Sequence, residues 1–386
     1  MSHLKKLFLL DPDVTYLNHG SFGACPRPVF EAYQRWQREL ERQPVGFIGQ
    51  RTALLATART RLANLLGVQA VDVVYFPNPT TAINMVARNV KLQPGDEILA
   101  TDHEYGAMDR TWRYVCKKAG AKYINWPIPL PLTTPAAFVE AFWAGVTPHT
   151  KVVFISHITS PTALIFPVKE ICQRAQQAGI LSIIDGAHAI GQVPLDLVDL
   201  GCDIYTGACH KWLCAPKGSA FLYARRQVQS WLDPLVVSFG YNEDPDQATY
   251  SNSRFIDYHE WQGTCDTSAY LATPAAIDFQ EEHHWPEVRE RCHQLGLHTR
   301  QRIEAITGLS PICDESWFGQ FFVARLPEST DFNALHQHLY VERSIVAPGT
   351  QLNGQKYIRV SFQGYNTEED ADILVNALKQ FYCSKS

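Results

Sequence analysis

Three short segments of the chain hold residue types that can do chemistry. In GACHKWLCAPKGSAFLYA (207–224), Lys211 follows the apolar run DIYT (203–206) and precedes a Gly/Pro-rich turn. Its neighbours Trp212, Leu213 and Cys214 are a poor setting for a solvated ammonium group. Partial burial lowers a lysine's pKa and leaves a neutral amine that can attack an aldehyde. Taken alone, the segment reads more commonly as a surface lysine. Asp185 ends the apolar run LSIID and is followed by GAHAIG. An ionised carboxylate there needs a partner. It either caps the structure that follows or acts as counter-ion to a protonated ring nitrogen. In FPNPTTAINMVARNV (76–90) an apolar run ends, two threonines follow and a helical pattern starts. Free N–H groups and the helix dipole there favour an anion such as phosphate, with the hydroxyls of Thr80 and Thr81 as further donors. An ordinary threonine cap is the commoner explanation of that segment by itself.

The elements around these segments suggest how they are positioned. With 386 residues the chain is long enough for a large domain and a smaller companion. Hydrophobic residues make up 46% and charged residues 19%, the profile of a globular protein. The net charge of −5 and the lack of a basic stripe argue against nucleic-acid binding. The apolar run 7–10 is too short for a signal sequence and is followed at once by Asp11 and Asp13. No apolar stretch reaches the roughly 18 residues that a membrane span needs. The expectation is a soluble, cytoplasmic protein. Ten scattered cysteines without a C-x-x-C pair read as reduced thiols, and Cys209 and Cys214 lack the spacing of metal ligands.

Seven apolar runs read as buried strands: 73–76, 97–100, 122–126, 152–156, 181–185, 203–206 and 219–224. Helical patterns lie between most of them, such as PVKEICQRAQQAG (167–179), opened by proline and closed by glycine. Alternating strands and helices imply a mostly parallel sheet covered on both faces, with chemistry at the carboxyl ends of its strands. Beyond about residue 260, helical patterns at 268–282 and 286–306 are followed by shorter strands at 320–326 and 356–362. A last helix runs from Thr367 to Tyr382. The predicted organisation is a large α/β domain over 20–262 and a small α+β domain formed by 1–19 and 263–386. The polar stretch 240–258 is expected to be loop.

Each chemical signal is weak singly. In combination, a phosphate site, an acid at a strand end and a lysine 26 residues further on occur in a familiar order and spacing. By these residues the sequence resembles the class V aminotransferases of the fold-type I pyridoxal-phosphate enzymes. The resemblance runs from YLNHGSFGACP (16–26) to YIRVSFQGYNTEED (357–370). Within the class it is most similar to the isopenicillin N epimerase-like branch, through ISHITSPTALIFPV (155–168), DGAHAIGQ (185–192), CHKWLCAPKG (209–218) and WQGTCDTSAY (261–270).

The resemblance implies a seven-stranded, mostly parallel sheet in the large domain and pyridoxal 5′-phosphate as cofactor. Lys211 would carry the cofactor as a Schiff base, and Asp185 would bond its pyridine nitrogen. His188 would sit near the ring hydroxyl and Ser160 would bond that hydroxyl. Thr80, Thr81 and His210 would hold the phosphate. Tyr105 takes the ring-stacking place usually held by histidine. Thr264 would complete the phosphate site of a neighbouring subunit in a homodimer. Arg359 would grip the substrate carboxylate with a two-pronged fork, beside Asn18 and His19 on the N-terminal segment. Two positions depart from the family pattern: Ala208 replaces a serine or asparagine near the phosphate, and Ser160 replaces an asparagine.

An amino acid is the implied substrate, and Lys211 the base that removes its α-proton. Return of a proton on the opposite face gives epimerisation, for which Tyr105 or His19 is the expected acid. Loss of a leaving group gives a C–S lyase, and protonation of the cofactor gives an aminotransferase. Cysteine desulfurases of the class carry a nucleophilic cysteine before the carboxylate-binding arginine. The stretch 343–359 has none, which argues against that activity. A non-catalytic binding protein of the same fold is disfavoured by the intact set Lys211, Asp185, His210 and Arg359.

Overall fold

The computed structural model describes residues 3–244 and 247–383. After a two-residue strand β1 (Thr15–Tyr16), the chain builds β2 (Val73–Phe76), β3 (Glu97–Thr101), β4 (Lys122–Trp126), β5 (Thr150–Ser156), β6 (Leu181–Asp185), β7 (Ile204–Gly207) and β8 (Ala220–Ala224). These last seven form one sheet in the order β2-β8-β7-β6-β5-β3-β4. Only β8 runs antiparallel to its neighbours. All seven expected strands therefore lie in a single sheet.

Alternation along the strands explains why both faces are covered. Val152, Phe154, Ile183 and Leu222 face one apolar cluster with Met85 and Trp112. Val153, Ile155, Ile184 and Phe221 face the other. The helix Val168–Ala178 shows how its sequence sets its ends. Pro167 precedes it, and Gly179 closes it in the left-handed region at φ 67°, its N–H bonded to the carbonyls of Ala175 and Gln176.

The remaining strands are β9 (Phe321–Leu326), β10 (Ile345–Val346), β11 (Gly349–Leu352) and β12 (Gln355–Ser361). Strands β11, β12 and β9 form an antiparallel sheet in that order, and β10 pairs in parallel with β1. The N-terminal segment is thereby held against the C-terminal part of the chain. Helices Ser268–Leu271, Thr273–Glu282, Trp285–Thr307 and Glu368–Cys383 accompany it. Phe321, Val323, Ile358 and Val360 belong to the same cluster as one face of the large sheet, so the two sheets share a continuous core. The stretch 240–258 is not wholly loop: Ser253 caps a helix over Arg254–Glu260 through a bond from the Ile256 N–H. The buried side chains of Phe255, Ile256, Tyr258 and His259 drive it, an apolar signal outweighed in sequence by the polar residues before it. No helix among the described residues is long and apolar enough to cross a membrane.

Candidate active site

Five strands of the large sheet end on one edge, and each delivers a residue to the same cavity. Thr80 follows β2, Tyr105 follows β3, Ser160 follows β5, Asp185 ends β6, and His210 and Lys211 follow β7. The cavity has a volume of about 390 Å³ and is closed on another side by Gly20, Ser21 and Phe22 and by Arg359 from β12. Concave sites at the carboxyl edge of a parallel sheet are where such folds place ligands.

Lys211 sits in a turn whose backbone is tightly enclosed. A Cβ on Gly191, at φ 83°, would lie 2.5 Å from the carbonyl of Trp212. One on Gly23, at φ 70°, would lie 1.9 Å from the carbonyl oxygen of His210. Only glycine allows these two close approaches from either side. The amine of Lys211 lies 3.1 Å from Nε2 of His188. Burial pushes it down to about 8, against the pull of Asp185 and with a further push from Arg359. The indole N–H of Trp212 donates to Nδ1 of His188 at 3.2 Å. That bond leaves the imidazole proton on Nε2, facing the lysine. Burial holds His188 well below the usual histidine range, so a neutral ring meets the amine. Its ring stacks on Phe321 at 4.9 Å.

Asp185 is 3% exposed and accepts the Ala187 N–H at 2.9 Å. Burial raises its pKa, opposed by that N–H and by the charge of Lys211. A cation placed against it would restore the ionised form. At the opposite end of the cavity, Asn78 caps the helix Pro79–Asn89, accepting from both the N–H and the hydroxyl of Thr81. Thr81 therefore spends its hydroxyl proton on the cap and does not line the cavity, contrary to expectation. Pro79 has no N–H, which leaves the N–H and hydroxyl of Thr80 at the wall. His210 faces the same end, its Nδ1 donating to the Ser219 carbonyl at 3.1 Å.

Arg359 is 7% exposed and has no carboxylate partner among the described residues. One terminal nitrogen donates to the carbonyl of Ser160 at 2.6 Å and approaches its hydroxyl at 3.3 Å. The other donates to the Ser21 hydroxyl at 2.6 Å, and that hydroxyl donates to Asn18 at 2.7 Å. Its Nε has no hydrogen-bond partner among the described residues. Burial lowers its pKa to about 10. A buried cation held only by neutral acceptors is a site for an anion.

Other expectations require correction. His19 is 0% exposed and does not border the cavity. Its Nε2 donates to the Lys211 carbonyl at 2.9 Å, while Nδ1 accepts from the Tyr365 hydroxyl at 3.2 Å. Burial lowers its pKa to about 3. With both nitrogens engaged it cannot serve as the opposite-face acid; it clamps the lysine's backbone instead. Asn18 and Ser160 meet Arg359, so they orient the guanidinium. Thr264 is exposed and does not line its own chain's cavity. Tyr105, 47% exposed, does line it.

Sequence reasoning missed Ser21, Trp212 and Glu104. Ser21 carries no signal beyond its place in NHGSF. Glu104 is buried, and its carboxyl accepts from Thr101, from the Ser156 hydroxyl and from the Ser156 N–H at 2.6, 2.6 and 2.9 Å. Burial pushes it up to about 8, against these donors and assisted by Asp185. Its burial beside two hydroxyls is invisible in DHEYGA.

The arrangement fits pyridoxal phosphate: an amine of lowered pKa, a buried acid, a helix-end anion site and an unpaired arginine converge on one cavity. A family model described as aminotransferase class-V matches residues 25–374. The chain is 38% identical over 382 residues to the isopenicillin N epimerase of Amycolatopsis lactamdurans, covering 96% of each. It is 35% identical over 380 residues to that of Streptomyces clavuligerus, covering 96% of this chain and 95% of the relative. An L-cysteine desulfhydrase of Arabidopsis thaliana is 26% identical over 411 residues, with 95% and 87% covered. The cysteine desulfurase CsdA from Escherichia coli has the same fold, with a TM-score of 0.81 at 22% identity and 98% of both chains covered. With this much of its length and its cavity accounted for, the chain belongs to the class V aminotransferase family and is a pyridoxal-phosphate enzyme.

Proposed function

We propose that the protein epimerises an amino acid, or an amino-acid-derived compound, at its α-carbon, as an isopenicillin N epimerase-like enzyme. The observation that carries this reading is the 38% identity to such an epimerase over 96% of the chain. Among the described residues that line the cavity there is no cysteine to act as a nucleophile for sulfur transfer.

Pyridoxal phosphate, when bound, lets an attached amino acid lose its α-proton by drawing the electron pair into the ring. The chain's own residues do the rest. In this reading Asp185 would pair with the ring nitrogen, Thr80 and His210 would hold the phosphate, and Arg359 would hold the substrate carboxylate. Lys211 would carry the cofactor and, with its amine free, would take the α-proton at its Nζ. The neutral His188 beside it leaves the lysine's protonation to burial, Asp185 and Arg359. Inversion then needs a proton from the other face, and Tyr105 is assigned that donation because His19 is committed to the Lys211 carbonyl.

Tyr105→Phe is expected to slow inversion by about 10²-fold while α-proton exchange continues, the lower end of what a positioned acid contributes. Chirality and deuterium incorporation followed in the same D₂O reaction separate the two rates. Equal slowing of both removes Tyr105 from the acid's place. The reaction itself is tested with a panel of amino acids in D₂O, scored for α-exchange, inversion, keto acid and sulfide. Inversion supports the epimerase. Sulfide without inversion replaces it with the second reading, a C–S lyase, which the desulfhydrase relative favours and which needs no second acid. Keto acid as the main product makes it an aminotransferase.

The exposed Thr264 is assigned to the phosphate site of a second copy, which makes the working unit a homodimer. Sedimentation is expected to give twice the chain mass; an active monomer overturns this assignment.

A further inference from the structure

The strand that bears Arg359 belongs to a hairpin whose tip is fastened to the large sheet. Strands β11 and β12 are joined by Asn353 and Gly354, both at positive φ, 48° and 83°. Two consecutive left-handed residues make the tight turn that follows the natural twist of a hairpin, and Asn-Gly suits it. Beyond this turn the tip has little to hold it. Gln351, Asn353 and Gly354 are exposed, and the one apolar side chain at the tip, Leu352, is only half-buried against the edge of the core.

What does hold it is a closed circuit of polar contacts. The Asn353 amide donates to Oδ2 of Asp102 at 2.6 Å, while Oδ1 of Asp102 accepts the Ile128 N–H at 3.1 Å. Next along the chain, Nδ1 of the buried His103 meets the Thr162 hydroxyl at 2.7 Å. The neighbouring carbonyl of Pro161 accepts from Thr350 of the hairpin at 3.0 Å, and the carbonyl before that, Ser160, accepts from Arg359. The hairpin thus grips two loops, and both contribute to the cavity: one leads into Tyr105, the other holds Ser160.

We propose that Asn353 and Asp102 form a clasp that positions Arg359, setting how well the enzyme takes the substrate carboxylate without touching the substrate. The clasp lies six residues from Arg359, about 20 Å along the strand. It acts by stopping the hairpin from lifting off Ser160, so both Asn353 and Asp102 are positioning residues. The inference rests on the reading of Arg359 as the carboxylate site. Because the tip buries only part of one apolar side chain, Leu352, opening it is a local event that leaves the global fold in place.

The test is a charge swap. Asn353→Asp sets two carboxylates against each other, in a turn position that aspartate also tolerates. KM for the panel's best α-exchange substrate is expected to rise about five- to tenfold, the effect of one hydrogen bond, with kcat retained. Backbone amides of 349–358 are expected to exchange with deuterium faster in the same variant, a readout that needs no substrate. Adding Asp102→Asn restores a donor–acceptor pair and leaves an acceptor for Ile128, so KM and exchange both return toward wild type. An unchanged KM in the single variant, or no rescue in the double, overturns the clasp. Arg359→Ala separates the two ideas. If it raises KM while Asn353→Asp does not, the carboxylate site stands and the clasp falls. If Arg359→Ala leaves KM alone, the carboxylate reading fails.

Discussion

Lys211→Ala is expected to abolish inversion and α-proton exchange together, by at least ~10²–10⁴-fold, and to remove the visible absorbance of a lysine-linked cofactor. Both losses come from one atom, the Nζ 3.1 Å from His188. The fold is expected to survive. The turn is held by its backbone, between Gly191 and Gly23 and under His19, and none of these needs the lysine side chain. Lys211→Arg keeps a cation but offers no amine that can join the aldehyde, so it is expected to be equally inactive. A variant that still binds cofactor, has native circular dichroism and exchanges α-protons at the wild-type rate would remove Lys211 from the mechanism. The same amine sets a pH dependence. Burial lowers its pKa to about 8, so the neutral, reactive form grows as pH rises through 8 and is nearly complete by about pH 9. Loading of the apoprotein with pyridoxal phosphate, followed by absorbance, is expected to accelerate over that window and level off above it. A rate still climbing past pH 10 would mark an unperturbed surface lysine.

That surface reading was the commoner one for the segment alone, and the reason it fails is physical. Lys211 follows a strand buried on both faces and precedes another, with Trp212 fully buried beside it. Strand ends and apolar runs are local properties, so all seven strands and the residues at their ends were legible. So was Asp185, because a carboxylate closing a buried run must meet something. Contacts made by residues far apart in sequence were not. His19 reaches the Lys211 carbonyl, 192 positions away, only because β1 pairs with β10 and carries the N-terminal segment across. Resemblance placed His19 near the substrate, and it lies one layer behind. The resemblance assigns Thr81 to the phosphate, and the structure shows its hydroxyl engaged elsewhere for a local reason. Asn78, three residues earlier, accepts its hydroxyl proton as part of the helix cap, and a cap by asparagine looks in sequence much like an anion site by threonine. Trp212 read as packing, and it does pack, but its N–H also settles which nitrogen of His188 carries the proton.

Arg359→Ala is expected to cut kcat/KM by about 30- to several thousand-fold. The figure corresponds to ~2–5 kcal/mol for truncating one member of a buried, hydrogen-bonded charge pair. The loss should fall mainly on KM, because the guanidinium holds the carboxylate before and after proton removal alike. The geometry explains why it is so large. Arg359 has left water, 7% exposed, with four neutral oxygens around its two terminal nitrogens and no hydrogen-bond partner on Nε among the described residues. It carries the desolvation of a cation without the compensation of an anion, and burial has already lowered its pKa to about 10. On the proposed reading a substrate carboxylate would supply the missing charge, with Ser21, Asn18 and Ser160 holding the fork in place before it arrives. Arg359→Lys retains the charge but loses the fork, so it is expected to recover only part of the loss. Ser21→Ala frees one prong and should cost about fivefold. Steady-state kinetics on the three variants check the order, alanine worst, then lysine, then the serine variant. If lysine matches wild type, point charge alone suffices and the fork has no role. If Arg359→Ala proves more stable but no less active, the buried guanidinium serves neither substrate nor fold.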